Sequence, residues 1–385
     1  MSVIDRRQRR VFRVLWTEGR LSRSELHQRT GLTPNGVGTL AEAMLRSGLL
    51  RECPATAKAA GRPRVPLEVD PSKRHVLGLA IEPGRASICR LGLAGTVLER
   101  VRPRQCADPR KLIPTAAALL SEYSDQRTLG VGVSITGFVD PRTRTLLFSS
   151  AMKGGPAADL SPIFDAAGEL PVVLENDMHA LAARWLLTHR AHHQQDVLLV
   201  WIEDGRLGAA ILVDGRPNRG CATGANDLGH TRFFVETERC FCGHTGCLER
   251  IVSSDFLARR DAANSSANNH SALPDRAARF EAKGLDPSMD EMNKYLACAL
   301  SNAINFVRPH RLVLVSPFTR HPLFAQALFR QVRDMVLPQL VDRVQLDLWD
   351  EPGAGSAETA AWLAMAELLY GGWNQSESAA MHAGG

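Results

Sequence analysis

Apolar residues recur at helical spacing through the first fifty positions and at strand spacing soon after. Val11, Val14 and Leu15 give residues 6–18 one apolar face, so a helix is predicted there, closed by Gly19. Ser22-Arg23-Ser24-Glu25 reads as a capping box, a hydroxyl for the N3 amide and a carboxylate reaching back, and opens a second helix with Leu26 on its buried face. Thr30-Gly31-Leu32 is a short turn. Thr33 as N-cap and Pro34 at the first helical position start a third helix whose inner stripe is Val37, Leu40, Met44 and Leu45. Gly48 ends it, Leu49-Leu50 opens a strand, and residues 65–69 alternate as another.

From His75 the period changes. Strands are predicted over 75–81, 86–93 and 97–101, separated by the turns Pro83-Gly84 and Ala94-Gly95, then a helix over 111–124 and a buried strand over 129–135 ending in Thr136-Gly137. A strand over 171–174 and a helix over 178–187 follow. Strands over 196–202 and 208–214, a long helix over 290–307, a strand over 311–315 and a helix over 357–369 repeat the outline. Three antiparallel strands, a helix and another strand, followed by a second pair of strands that fits a second half, suit the ribonuclease-H-like halves of a two-lobed, actin-like sugar-kinase fold. The fold class is α/β. Residues 264–275 are polar and low in complexity, a predicted surface loop, and the last dozen residues a frayed tail.

Helix, capped helix, tight turn and capped helix followed by strands is the pattern of a winged helix-turn-helix. Charge agrees with it. Residues 1–75 carry 15 Lys/Arg against 7 Asp/Glu, while the whole chain has a net charge of only +5, so the remainder is slightly acidic. A basic end on an acidic body implies a polyanionic partner for that end. The third helix would enter the major groove. The DNA-contact candidates are Ser22, Thr33, Asn35, Gly36 and Thr39, with Glu42 also outward; Asn pairs bidentately with adenine and Thr reaches a base or a thymine methyl. Gly61-Arg62-Pro63-Arg64 resembles a minor-groove hook, Arg62 and Arg64 entering a narrow groove on an extended backbone. A protein-interaction module and a linker with two solvated arginines are the plainer alternatives for the two segments. With 385 residues, 44% hydrophobic and 23% charged, no apolar run of membrane-spanning length and no signal-like start, the chain reads as soluble and cytoplasmic, with no membrane partner.

Cys53, Cys89, Cys106, Cys221 and Cys298 are scattered and read as small buried hydrophobes. Cys240, Cys242 and Cys247 are clustered ten residues after His230. Three soft thiolates and an imidazole make a tetrahedral Zn²⁺ set with no vacant position, hence a structural metal; Gly243 and Gly246 permit the turns between them. His244 is a rival to His230.

Gly229-His230, then Cys240-x-Cys242-Gly-x-x-Gly-Cys247-x-Glu249, resembles the signature of the ROK family, which covers repressors and sugar kinases. Residues 130–141 resemble its Gly-rich substrate loop, Glu175-Asn176-Asp177 its catalytic dipeptide, and Val213-Asp214-Gly215 its second-lobe turn. The resemblance implies a sugar pocket. Asn176 and Asp177 would hydrogen-bond sugar hydroxyls, Asp177 being the base of kinase members. His230 would give zinc one ring nitrogen and turn the other to the sugar, Glu249 would accept from hydroxyls, and Gly137 would bring backbone near the ring. Asp227 stands where the family usually has Glu, and Met178-His179 where it often has Ala-Asn. The nucleotide loops depart further: Ala80, Glu82 and Pro83 replace the acidic and glycine positions of the first, Glu203-Asp204-Gly205-Arg206-Leu207-Gly208 puts carboxylates into the second, and Ser316-Pro317 replaces a Gly-Gly pair. Pro83 offers no N–H to a phosphate.

The sequence therefore predicts a winged helix-turn-helix with linker over 1–72, a first actin-like lobe over 73–190 joined by the C-terminal helix 355–372, and a second lobe over 191–354 with the zinc site and a dimer interface. The function it implies is a sugar-responsive transcriptional regulator, most simply a repressor of carbohydrate genes, without ATP chemistry. Its partners would be operator DNA, a sugar or sugar phosphate, and a second copy of itself, with a tetramer as the larger assembly. A sugar kinase with a fused DNA-binding arm and a DNA-binding regulator controlled by a protein partner are the alternatives.

Overall fold

The computed structural model describes residues 4–54, 65–149, 152, 157–192, 194–219, 226–263, 272–283, 287–316, 321–350 and 356–370. The first three helices are α1 (Arg6–Glu18), α2 (Arg23–Thr30) and α3 (Pro34–Arg46). Both caps read from the sequence form: the Ser22 hydroxyl accepts from the Glu25 amide while Glu25 returns to the Ser22 N–H, and Thr33 accepts from the Gly36 N–H. A further capping box, Asp5 with Gln8, opens α1. The buried faces are broader than expected, adding Phe12 and Trp16 on α1 and Ala41 on α3. Strands β1 (Leu21–Ser22), β2 (Leu50–Glu52) and β3 (Pro66–Val69) form an antiparallel sheet in the order β1-β3-β2, the wing beside the three helices. Arg62 and Arg64, the proposed minor-groove hook, lie outside the described residues, as does Cys221.

The first lobe contains β4 (His75–Glu82), β5 (Arg85–Gly92), β6 (Val97–Arg100), β7 (Arg104–Gln105), α4 (Pro109–Tyr123) and β8 (Thr128–Ile135). A small sheet of β9 (Phe138–Asp140), β10 (Thr145–Phe148) and β11 (Ala158–Asp159) and the helix α5 (Ser161–Ala167) intervene before β12 (Val172–Asn176) and α6 (Asp177–Thr188). The second lobe runs β13 (Val197–Glu203), β14 (Arg206–Val213), β15 (Arg216–Pro217), a single 3₁₀ turn at Leu228–His230, α7 (Leu248–Ile251), α8 (Ser254–Ala263), α9 (Leu273–Lys283), α10 (Pro287–Val307), β16 (Arg311–Val315), α11 (Pro322–Met335) and β17 (Gln345–Leu348). The loop expected over 264–275 is corrected at its end: Leu273, Pro274 and Asp275 open α9, whose Leu273 and Ala277 are buried in the second-lobe core.

The two large sheets share one plan. In the order β6-β5-β4-β8-β12, the first three strands are antiparallel and the last two run parallel to β4; in β15-β14-β13-β16-β17, polarity and order are the same. The chain then returns to the first lobe as α12 (Ala357–Ala364), continued by a π turn at Met365–Leu369. This helix lies backbone-to-backbone on β4 and β8. A Cβ at Gly78 or Gly132 would come within 1.9 Å of the Ala357 or Ala360 carbonyl oxygen, so only glycine admits the approach.

Helix α6 is buried nearly all round because it is shared. Ala180 and Ala183 pack on Leu363 and Ala366 of the returning helix. Met178, Leu181, Ala182 and Trp185 pack on Val197, Leu199, Ala210 and Val313 of the second sheet. The winged helix joins the same assembly, since one apolar cluster runs from Phe12, Leu15 and Trp16 to Trp362, Leu369 and Tyr370.

Candidate functional site

The carboxyl ends of the parallel strands β8 and β12 lie side by side, Ile135 paired with Asn176, so the turn at Thr136-Gly137 meets the start of α6. Asn176 caps α6 with its side-chain oxygen, which accepts from the Met178 amide at 2.7 Å, and its Nδ2 donates to the Gly137 carbonyl at 2.8 Å. Gly137 holds φ +131, and a Cβ there would meet the Phe148 carbonyl at 2.4 Å, so this turn depends on glycine. Asp177 accepts from the Thr136 hydroxyl at 2.8 Å and from the Met178 amide at 2.9 Å. Its burial pushes the carboxyl pKa up, against those two hydrogen bonds and the nearby Arg206.

Across the interlobe cleft, Asn226 ties its segment to β14: its amide donates to the Ala209 carbonyl and its side chain accepts from the Ile211 amide. The 3₁₀ turn that follows carries Asp227 and His230. Protein crowding raises the pKa of Asp227; His230 opposes the rise and Glu249 adds to it. The Leu248 amide donates to the Thr231 carbonyl, which fixes α7 and with it Glu249. Gly137, Asn176, Asp177, Asp227, His230 and Glu249 all line one cavity of about 460 Å³ between the lobes. That volume lies in the range of small-molecule sites. The sequence had not singled out Thr136, Phe138, Trp201, Arg206, Phe241 or Arg250, which line it too. Met178 also faces the cavity. His179 does not; it is buried behind, its Nδ1 3.1 Å from Glu175, which is also paired with Arg219.

The ligand atoms of His230, Cys240, Cys242 and Cys247 lie within 4.8 Å of one another. His230 Nδ1 is 3.8 Å from the Cys240 sulfur, and the Cys242 and Cys247 sulfurs are 3.5 Å apart. His244 is exposed and outside this cluster; its contribution is a backbone carbonyl that accepts from the Cys240 amide. Three thiols and one imidazole converging from three separate stretches fit a four-coordinate Zn²⁺. Cys240 also contacts Glu249, its sulfur 2.9 Å from Oε1, so the His/Cys knuckle and the cavity wall are one structure.

In the winged helix, Asn35, Thr39 and Glu42 are exposed on one face of α3, as expected, and Thr33 and Gly36 stand at its start. Ser22 is corrected. It is buried, and its hydroxyl is consumed by the Glu25 cap, so it presents nothing to DNA. Gly36 has a local reason of its own, because a Cβ would sit 3.0 Å from the capping Thr33 hydroxyl.

Residues 79–366 match the ROK family. The chain belongs to the ROK family. The transcriptional repressor Mlc of Escherichia coli K12 is 21% identical over 94% of this chain and 93% of its own length. A xylose repressor of Caldicellulosiruptor bescii is 22% identical, covering 82% of this chain and 83% of its own. Among solved structures, a ROK family transcriptional regulator described as a homologue of E. coli Mlc superposes with a TM-score of 0.76 at 22% identity over 94% of this chain and 96% of its own. A ROK family glucokinase from Streptomyces griseus, in complex with glucose and AMPPNP, gives 0.62 at 19% identity, over 75% of this chain and 98% of its own. These structural likenesses are of fold. Among the described residues no helix is long and apolar enough to cross a membrane.

Proposed function

We propose that the protein is a sugar-responsive DNA-binding transcriptional regulator, most simply a repressor that leaves its operator when a sugar enters the interlobe cavity. The observation that carries this is the path of α6. It starts in the cavity at Asn176 and Asp177, and it ends against the winged helix, where Trp16 Nε1 donates to the Leu187 carbonyl at 3.1 Å. Arg190, just past α6, stacks its guanidinium 4.1 Å from the Trp16 ring centroid and donates to the Trp16 carbonyl. A ligand that binds the closed lobes more tightly than the open ones shifts α6, and with it the platform under α1. Repressor relatives, one named for xylose, support the same reading. Two copies would present two α3 helices to a pseudo-palindromic site, and the zinc would hold the segment bearing His230 and Glu249 in shape.

Asp177 in the cavity favours a second reading, sugar phosphorylation. Against it, the hairpin after β4 offers Glu82 and Pro83 to a phosphate, and the β13–β14 hairpin offers Glu203 and Asp204. No ATP turnover is expected with any sugar that binds; measurable turnover favours the kinase reading.

Two variants test the assignment from opposite ends. Asn35→Ala removes one outward amide from α3 while raising helix propensity. Operator affinity is expected to fall about tenfold to a hundredfold, as for one lost bidentate base contact of about 1–3 kcal/mol, with sugar affinity unchanged. Asp177→Asn is expected to weaken sugar binding at least tenfold, as for a lost charge-assisted hydrogen bond, with sugar-free operator binding unchanged. Gel-shift and calorimetric titrations read both; equal loss of both activities in either variant contradicts the division of labour.

A further inference from the structure

We infer that the effector is an uncharged sugar and that the cavity disfavours phosphorylated ones, because among the described residues the positive features that could take a phosphate each face a carboxylate of the chain itself. The inference rests on the sugar-site reading above and narrows it.

Among the described residues, the cavity is lined by Asp177, Asp204, Asp227, Glu249 and Asp255 against two arginines, Arg206 and Arg250, and the imidazole of His230. Arg206 is ion-paired with Glu203 in its own hairpin and lies over the Trp201 ring. Arg250 lies over Phe241 and pairs with Asp255 at 3.8 Å. The N-terminus of α8, which opens onto the cavity at Ser254, is an anion site by its dipole, and Asp204 occupies it: its Oδ1 accepts from the Ser254 amide at 2.7 Å. The N-terminus of α6 is occupied likewise by Asn176 and Asp177. His230 faces the cysteine cluster with its Nδ1.

The two hairpins that replace the family's nucleotide loops repeat the device. Arg85 is clamped by both carboxylate oxygens of Glu82, at 2.9 and 2.7 Å, and Glu203 of the opposite lobe lies near enough to strengthen its hold on the proton. A phosphate dianion entering this cleft would meet a surplus of carboxylates and would have to break an existing pair to gain a guanidinium. A neutral polyol meets the acceptors that hydroxyls need, with the rings of Trp201, Phe138 and Phe241 for its apolar faces. Arg250 holds the longer of the two pairings and has an Nε without a hydrogen-bond partner, so a phosphate, if accepted, would enter there.

The test is calorimetric titration of the zinc-loaded full chain with xylose, glucose and N-acetylglucosamine, with glucose 6-phosphate and N-acetylglucosamine 6-phosphate, and with inorganic phosphate. The expected result is that a neutral sugar binds, that its phosphate ester binds at least tenfold more weakly, and that inorganic phosphate does not compete. Glu203→Gln, which frees Arg206 while leaving every cavity-lining residue in place, should narrow that ratio at least fivefold while neutral-sugar affinity holds within about twofold. A phosphate ester that binds as tightly as its parent, with the binding lost in Arg250→Gln, overturns the inference and leaves the sugar site standing. An unchanged ratio in Glu203→Gln overturns the matched-charge explanation. If none of the sugars binds, neutral or phosphorylated, the sugar-site reading itself fails, and this inference falls with it.

Discussion

A Cys247→Ser chain is expected to purify without its equivalent of zinc, to melt roughly 10 °C lower and to lose its sugar response. Cys247 is buried at the start of α7, with its sulfur 3.5 Å from that of Cys242. Apart from a metal, the knuckle it closes is held by short-range backbone hydrogen bonds such as Phe233 N–H to the Gly246 carbonyl and Cys240 N–H to the His244 carbonyl, and by the Arg259–Glu236 ion pair. Isolated bridges pair Arg232 with Cys247 and Arg239 with Thr245, and Phe234 and Phe241 stand exposed on its surface. Loss of a structural metal belongs to the changes that exceed about 4 kcal/mol, and domains of 150–250 residues shift by about 2–4 °C per kcal/mol. The effect reaches the cavity because Glu249 lies two residues on and touches the Cys240 sulfur. Metal content by mass spectrometry, thermal melting and sugar titration read the three parts separately. A variant that loses zinc and still binds sugar normally would show that the metal holds the fold without shaping the site.

Trp16→Ala is expected to remove the sugar response by another route, with sugar affinity retained. Trp16 joins α1 to both the returning helix and α6: its ring meets Trp362 and Tyr370 at centroid distances of 5.8 and 5.2 Å, and its indole N–H reaches the end of α6. Truncating such a side chain costs about 3–5 kcal/mol, enough to loosen the winged helix from α6 and the returning helix. The rest of its core, Phe12, Leu26, Val37 and Met44, remains, so operator binding should persist and become indifferent to sugar. Arg190→Gln, which removes the stacked guanidinium without opening a cavity, should give a partial version of the same result. A Trp16→Ala protein whose operator affinity still falls with sugar would show that the signal travels elsewhere.

The legible parts of this molecule are those whose physics is local. A capping box at Ser22 and an N-cap with Pro34 at Thr33 announce helices within four residues, and soft side chains at Cys240, Cys242 and Cys247 announce by type alone a cluster that could hold a metal. The cavity residues Asn176, Asp177 and Glu249 were legible only through family resemblance, since a lone Asn-Asp pair is also an ordinary helix cap, and Asn176 does in fact cap α6. Ser22 failed as a DNA candidate for the same reason in reverse: the capping role that made it visible also buries it. What could not be read is long-range. Trp16 meets Trp362 and Tyr370 across nearly the whole chain, and no periodicity in either segment encodes the meeting. Helix α8 carries only a weak amphipathic stripe, while α9 and α11 carry clear ones that went unread beside the polar stretch 264–275 and the late nucleotide-loop position. Arg206 lay in a hairpin that seemed merely a broken phosphate loop, and only its partners Glu203 and Trp201 give it a role.

The most direct test is operator affinity of the zinc-loaded protein, measured on its own upstream DNA with and without saturating unphosphorylated sugar. A fall of at least tenfold with one sugar, unaffected by ATP, is the expected result. Specific operator binding that no sugar alters, or no sequence-preferring DNA binding at all, would contradict the assignment of this chain as a sugar-responsive regulator.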